Sequence, residues 1–331
     1  MCAQIVPARM QPRGGSGLMF GRPQVSARPI VHPAWLAPHA TITEGYSLEV
    51  TAKDIATLTS VAPRIWPRAP IAVPYLPNEG HEDRVAAARA VRALGFEPMP
   101  HFSARRIGSA DEFVRFLNSA AQEAGVERCF VVAGDPSQPA GPFADTMSMI
   151  QTGAFEAAGV KVIGVGGHPE GHPVMTADQR WAALQAKCAA IEARGMAPLI
   201  VTQFAFDAEA ILGWLKELRD RGLDHPVRIG VPGPAGNQTL LRFAAMCGVG
   251  ASASVLSKYG LSLGRLIGPA GPDKFLDVLT AGLGPEHGAV RLHFYPFGGL
   301  ARTVDWITDY ATRRSAKGHQ ATPIRPETVR G

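Results

Sequence analysis

The sequence predicts an α/β fold, a (β/α)8 TIM barrel with an N-terminal arm and extra helices before the eighth strand. Three observations lead there. Eight short apolar runs alternate with helical segments, the pattern of a parallel sheet built from successive βα units. The run Val131-Val132-Ala133-Gly134-Asp135 passes from apolar residues to a glycine and a carboxylate, as a buried parallel strand does where it opens to solvent. No GxGxxG follows the first run, which argues against an open doubly wound sheet, and eight strands suffice for closure.

After the arm, Gly45 to Thr51 reads as the first strand, with Glu49 among apolar neighbours, and a helix follows from near Asp54. Ile71 to Tyr75 is the second strand and ends at the loop Pro77-Asn78-Glu79-Gly80; Val85, Ala88, Val91 and Leu94 then line one helical face closed by Gly95. The third strand, Phe96 to Phe102, carries His101 near its end. Ser109 and Glu112 form an S-x-x-E box ahead of Phe113, Phe116, Leu117 and Ala120. The fourth strand spans Cys129 to Ala133, and its helix runs from about Phe143 to Ala158. Val160 to Gly166 is the fifth; it opens into Gly167-His168-Pro169-Glu170-Gly171-His172-Pro173, too rich in Pro and Gly to be regular. Thr176 and Gln179 cap the next helix. Leu199 to Phe204 is the sixth strand and carries Gln203, and Asp207 caps a helix burying Ile211, Leu212, Leu215 and Leu218. The seventh, Val227 to Val231, ends at Pro232-Gly233-Pro234. A longer helical region, Gln238 to Leu279, broken at Gly248, Gly260 and Gly268-Pro269-Ala270-Gly271, precedes the eighth strand, Val290 to Tyr295. Val304, Ile307, Tyr310 and Ala311 mark a final helix. The domain organisation expected is a basic Pro/Gly-rich arm over residues 1–40, a barrel over 41–314 and a mobile polar tail over 315–331.

Composition narrows the function. The 331 residues are 46% hydrophobic and 18% charged, ordinary for an enzyme with a large core. No apolar run approaches the roughly 20 residues that span a bilayer, so a soluble chain with no membrane partner is expected. The net charge of +5 resides mostly in the tails: Arg9, Arg13, Arg22 and Arg28 precede the first acid, Glu44, and Arg313, Arg314, Lys317, Arg325 and Arg330 crowd the other end. No basic helix or basic-aromatic strand marks a nucleic-acid partner. Cys2, Cys129, Cys188 and Cys247 are scattered without a CxxC pair, which fits a reducing cytoplasm rather than a disulfide framework. The arm lacks the apolar stretch of a secretory signal. Self-association is compatible with the sequence, which fixes no oligomeric state.

In a closed barrel the strand ends share one face, so Glu49, Pro74, His101, Asp135, His168, Gln203, Pro232 and Tyr295 would ring one pocket. Glu49 and Asp135 are the candidate catalytic pair, because burial in an apolar mouth raises a carboxyl toward proton donation near neutrality. The bland reading of either is a salt-bridged structural acid. His168 and His172 invite a metal, but Pro169 and Pro173 break the helix that an HxxxH pair needs; no metal is expected, and both read as loop donors to a polar or anionic ligand.

These residues together resemble the methylenetetrahydrofolate reductase family, over roughly Gly45 to Ala301. Ser47-Leu48-Glu49-Val50 is similar to its S-F-E-F strand, Pro100-His101 to its P-H, and Val131 to Asp135 to its L-R-G-D. His168 to Pro173 is similar to Y-P-E-x-H-P, Thr202 to Asp207 to T-Q-x-x-F-D, Val231-Pro232-Gly233 to I-P-G, and His293-Phe294-Tyr295 to its last strand. The resemblance implies a flavoprotein barrel that reduces a tetrahydrofolate derivative, methylenetetrahydrofolate, with NAD(P)H, in the common form through FAD. It implies Glu49 as the general acid that opens the imidazolidine ring, and Asp135 beside the reacting centre. Gln203, Phe243, Tyr295 and Phe297 would face folate or nicotinamide; His101, Ala133, Gly134, Phe143, His168 and His172 stand at flavin-contacting positions.

The departures matter too. Pro74 stands for the Thr of V-T-Y, Ala133 for the Arg of R-G-D, His168 for the Tyr before P-E, and Pro296-Phe297-Gly298-Gly299 for T-L-N-R. Lys187 lies about a helical turn before the position of the family's lysine. Losing cations near a flavin pyrophosphate removes charge-assisted bonds worth roughly 1.5–3 kcal/mol each, so direct hydride transfer from nicotinamide without flavin is a second expectation. A related folate-dependent enzyme linked to demethylation, and a non-catalytic folate- or flavin-binding barrel, are the alternatives.

Overall fold

The computed structural model describes residues 41–76, 79–247 and 271–318; the arm over 1–40, the tail from 319, and the breaks expected at Gly248, Gly260 and Gly268 to Ala270 lie outside them. Eight strands, β1 (Ser47–Glu49), β2 (Pro70–Val73), β3 (Glu97–Ser103), β4 (Arg128–Val132), β5 (Val162–Gly167), β6 (Ala197–Phe204), β7 (Val227–Pro232) and β8 (Val290–Tyr295), each pair with the next, and β8 returns to β1. All eight pairings are parallel, as the alternation of strands and helices predicts.

Side chains alternate across each strand. The outward set, including Leu48, Ile71, Val73, Phe102, Val131, Ile163, Val165, Ile200, Ile229, Val231, Leu292 and Phe294, is buried under the helices. Each fully buried side chain of this size stabilises by roughly 1.5–3 kcal/mol relative to exposure. The inward set is a separate cluster of Ala72, Met99, Phe130, Leu199 and Val201, with Val132 and Val162 against it. Gly164 makes room for it: a Cβ there would lie 2.5 Å from the Phe130 ring.

The helices are α1 (Ile55–Val61), α2 (His81–Ala93), α3 (Ala110–Ala124), α4 (Thr146–Ile150), α5 (Ala154–Ala157), α6 (Ala177–Ala193), α7 (Ala208–Asp220), α8 (Asn237–Met246), α9 (Asp273–Gly282) and α10 (Leu300–Gly318). In α3, Phe113, Phe116, Leu117 and Ala120 are buried and Ser109 Oγ accepts the Glu112 N–H at 3.0 Å. The reciprocal arm differs from the expected box, for the Glu112 carboxylate accepts from Gly108 N at 2.7 Å. At α6 both halves form, with the Thr176 N–H donating to Gln179 Oε1 at 2.9 Å and the Gln179 N–H to Thr176 Oγ1 at 3.3 Å. One helix expected over Phe143 to Ala158 is instead two short ones, α4 and α5. Gly153, at φ +81°, turns the chain between them, and Thr152 Oγ1 accepts the Ala154 N–H. Among the described residues no helix is long and apolar enough to cross a membrane.

Candidate active site

The open end of the barrel starts from β1 and β8. Ser47 and Glu49, two residues apart, point inward, and the β1–β8 register sets Ser47 beside His293. Ser47 Oγ and His293 Nδ1 are 2.8 Å apart, and His293 Nε2 lies 3.8 Å from Glu49 Oε2. When Nδ1 accepts from the Ser47 hydroxyl, the Nε2–H faces the carboxylate. His293 is buried, while the Glu49 side chain keeps 22% exposure toward the mouth. Burial pushes the Glu49 carboxyl up, but hydrogen bonding from His293 and the nearby imidazoles of His101 and His293 outweigh it, so the carboxyl lies below its ordinary value. This corrects the raised value expected from burial alone: a partner on the last strand reverses the sign. Burial holds His101 down at about 4 against the attraction of Glu49, and its ring packs 4.7 Å from Phe130.

The β6–β8 side is an aromatic wall. The Tyr295 hydroxyl donates to the Thr202 carbonyl at 3.2 Å, and burial pushes its phenol well up. Phe297 stacks on Phe243 of α8 at 4.0 Å and 11°, lies 5.7 Å from Tyr295, and meets Phe204 edge-on at 4.9 Å. Gln203 sits at a register shift between β6 and β7. Gly230 allows it, since a Cβ there would stand 2.6 Å from the Thr202 carbonyl oxygen. The Gln203 Oε1 turns back to accept the Phe204 N–H at 3.1 Å. Pro74 and Pro232 are buried in the rim.

Asp135 sits differently. The alternation that carries Phe130 and Val132 inward puts Gly134 at the next inward place, and Gly134 turns the chain at φ +89°. Asp135 is 94% exposed on the rim, 3.2 Å from Arg106 Nη2. Its carboxylate and that of Glu49 both lie within electrostatic reach of Cys247, just past α8. Ala133 supplies a carbonyl to the Arg105 N–H at 2.9 Å. Phe143, expected at a cofactor, is instead 4% exposed and packs edge-on against Phe113 at 5.4 Å, because the loop after β4 folds its apolar residue under itself.

At the exit of β5 the rings of His168 and His172 meet edge-on at 4.8 Å, and His172 Nδ1 accepts the Val174 N–H. Burial, with His172, Lys187 and Arg180 nearby, lowers His168 to about 4. Glu170 Oε1 accepts the Phe206 and Asp207 N–H groups at 2.9 and 2.8 Å, so the P-E step ties the β5 exit to the β6 exit. Among the described residues no three His, Cys, Asp or Glu side chains gather as a metal site would require.

Ser47, His293 and Arg106 join the mouth, and Arg180 and Lys187 of α6 lie within electrostatic reach of His168, without having been singled out as site residues. Ser47 was findable, because it shares the inward face of β1 with Glu49, and His293 shares that of β8 with Tyr295. Arg106 carries no sequence signal, since its partner comes from the next strand's loop.

The chain is similar to solved dihydropteroate synthases. That of Thermus thermophilus in complex with 6HMPPP shares 13% identity over 81% of this chain and 91% of that one, with a TM-score of 0.44. That of Burkholderia cenocepacia shares 14% over 83% and 93%, with a TM-score of 0.47. A sequence model described as methylenetetrahydrofolate reductase matches residues 72–261, which takes in His101, Asp135, His168, Gln203 and Phe243 and stops short of Glu49 and β8 on either side. The match supports a folate-related one-carbon oxidoreductase and spans more than half of the sequence; the chain belongs to the methylenetetrahydrofolate reductase family.

Proposed function

We propose that the protein reduces methylenetetrahydrofolate to methyltetrahydrofolate with NAD(P)H as electron donor. The observation that carries the reading is Glu49, turned into the mouth, backed by His293 and Ser47, and faced by the wall of Phe204, Tyr295, Phe297 and Phe243. A ring opening needs a proton on a weakly basic nitrogen, and a hydride transfer needs flat rings held close. Glu49 is ionised at neutral pH before substrate binds. Seating a ring over it removes water from the carboxylate and favours the neutral acid, with the Nε2–H of His293 at its back. Glu49 then gives its proton to the imidazolidine nitrogen, the carbon–nitrogen bond breaks, and the hydride adds to the resulting iminium carbon to make the methyl group. Gln203 directs its amide to the ring, and Asp135, held by Arg106, lies at the pterin edge.

A bound FAD would supply the relay of hydride between nicotinamide and folate. The residues present fit that group in part. His101 and Gly134 would border its ring, and the donors His168 and His172 its polar end, whereas Phe143 is buried away from it. Ala133 brings no cation to the β4 exit, which favours a second reading, direct transfer from nicotinamide to folate. The absorption spectrum of the purified protein separates the two, since bound flavin absorbs at roughly 350–500 nm. Oxidation of NAD(P)H dependent on methylenetetrahydrofolate tests the reaction itself. Glu49→Gln should lower kcat by roughly 10²–10⁴; full activity in that variant removes Glu49 as the acid.

A further inference from the structure

The inner face of β3 carries Met99, His101 and, at its open end, Ser103. Ser103 is 1% exposed, and among the described residues its Oγ makes no hydrogen bond. Its register partner on β4 is Val132, and Gly134 takes the next inward place there, at φ +89°. A Cβ on Gly134 would stand 2.3 Å from Ser103 Oγ, so the hydroxyl lies against that α-carbon and leaves room for glycine alone. The chain is pinned on both sides of this point: the Ala133 carbonyl accepts the Arg105 N–H at 2.9 Å, and the Pro136 carbonyl accepts Arg105 Nη1 at 3.3 Å. Between the two anchors, the peptide joining Gly134 to Asp135 makes no backbone hydrogen bond among the described residues, and Asp135 is tied only through its side chain, to Arg106. A buried hydroxyl that has lost water and gained no partner weakens the fold. This one stands beside an untied peptide, at a glycine open to φ of either sign.

We infer that Ser103 is a positioning residue of the mouth. When a flat ring settles over Gly134, the Gly134–Asp135 peptide turns its carbonyl inward to accept the Ser103 hydroxyl and presents the Asp135 N–H to a carbonyl on the edge of the ring. The bond to Ser103 forms only in the occupied barrel, so it adds to affinity and not to the stability of the empty chain. The choice of ligands rests on the proposed hydride transfer: pterin, flavin and nicotinamide all carry a carbonyl beside a flat ring, and the test separates the three.

Ser103→Ala distinguishes this from a purely structural role, because the two roles move different quantities. The ligand-free variant should unfold at the wild-type temperature or above it, while affinity for the ring falls about 2- to 10-fold. Ser103→Thr keeps the hydroxyl and should restore most of that affinity. Calorimetric titration of the full chain with FAD, NADH, NADPH and methyltetrahydrofolate, one at a time, names the ring concerned as the probe whose binding the alanine variant weakens. A ligand-free Ser103→Ala midpoint several degrees below that of the wild type overturns the inference, since the hydroxyl would then be bonded in the empty barrel. Equal binding of every probe by wild type and Ser103→Ala overturns it as well. If the wild type binds none of the probes, the inference and the proposed reaction fall together; binding that depends on Ser103 without reduction of methylenetetrahydrofolate leaves Ser103 in its role and removes the reaction.

Discussion

Acid should loosen the barrel through the histidines of its mouth. His101 and His168 are both held at about 4, chiefly by burial, against 6.5 for a free imidazole. Between those values the unfolded chain binds a proton that the folded chain refuses, so stability rises with pH; it is fully present above about 6.5 and drains away as pH falls toward 4. From pH 7 to pH 5 the unfolded ring becomes almost wholly protonated and the folded ring hardly at all, which is worth about 2 kcal/mol per ring. Partial solvent access at both residues reduces this to about 1 kcal/mol each, so the pair accounts for about 2 kcal/mol. Urea unfolding midpoints at pH 7 and pH 5 measure the loss, and His101→Gln with His168→Tyr isolates the share of these two rings. A wild-type midpoint that stays constant or rises on acidification would refute the reasoning, as would a pH-dependence identical in the double variant.

Other expectations follow from single contacts. Gly164→Ala places a methyl 2.5 Å from the Phe130 ring, so overpacking should cost about 1–3 kcal/mol and lower the thermal midpoint by several degrees; an unchanged midpoint contradicts the packed interior. His293→Asn removes the partner that holds Glu49 down, leaving burial to dominate, so the alkaline limb of the kcat/KM profile, where activity falls as Glu49 loses its proton, should move to higher pH; no movement or the reverse would sever His293 from Glu49. Phe297→Ala removes the stack on Phe243 and should weaken folate binding by about 2- to 10-fold with the fold intact, as fluorescence titration would read.

The barrel is legible because alternation and helical periodicity are local. Glu49, His101, Gln203 and Tyr295 lie within strands, and the two-residue repeat alone carries them to one face. The same repeat misplaces Asp135: β4 stops at Val132, Gly134 takes the next inward place, and the carboxylate ends on the rim. What depends on remote partners is not legible. Burial of Glu49 could be read, but the reversal of its proton affinity comes from His293 at the other end of the chain; Ser47 and His293 stand 246 positions apart. Lys187 looks misplaced when counted along the chain toward the Thr202-Gln203 strand, yet the turn of α6 faces it with Arg180. Phe143 is the opposite case, a position matched by pattern whose ring the β4 exit loop keeps for its own core.

Phe130 lies between its register partners His101 on β3 and Gly164 on β5, its ring filling the space that a Cβ on Gly164 would need, and with Ala72, Met99, Leu199 and Val201 it packs the barrel interior into a floor. A planar guest cannot descend past the level of Glu49; it lies across the rim as on a shallow dish, touching the ends of strands and the loops they lead into. Selectivity among flat ligands is therefore written in those loops, which can be exchanged one by one while the plugged cylinder below keeps its shape.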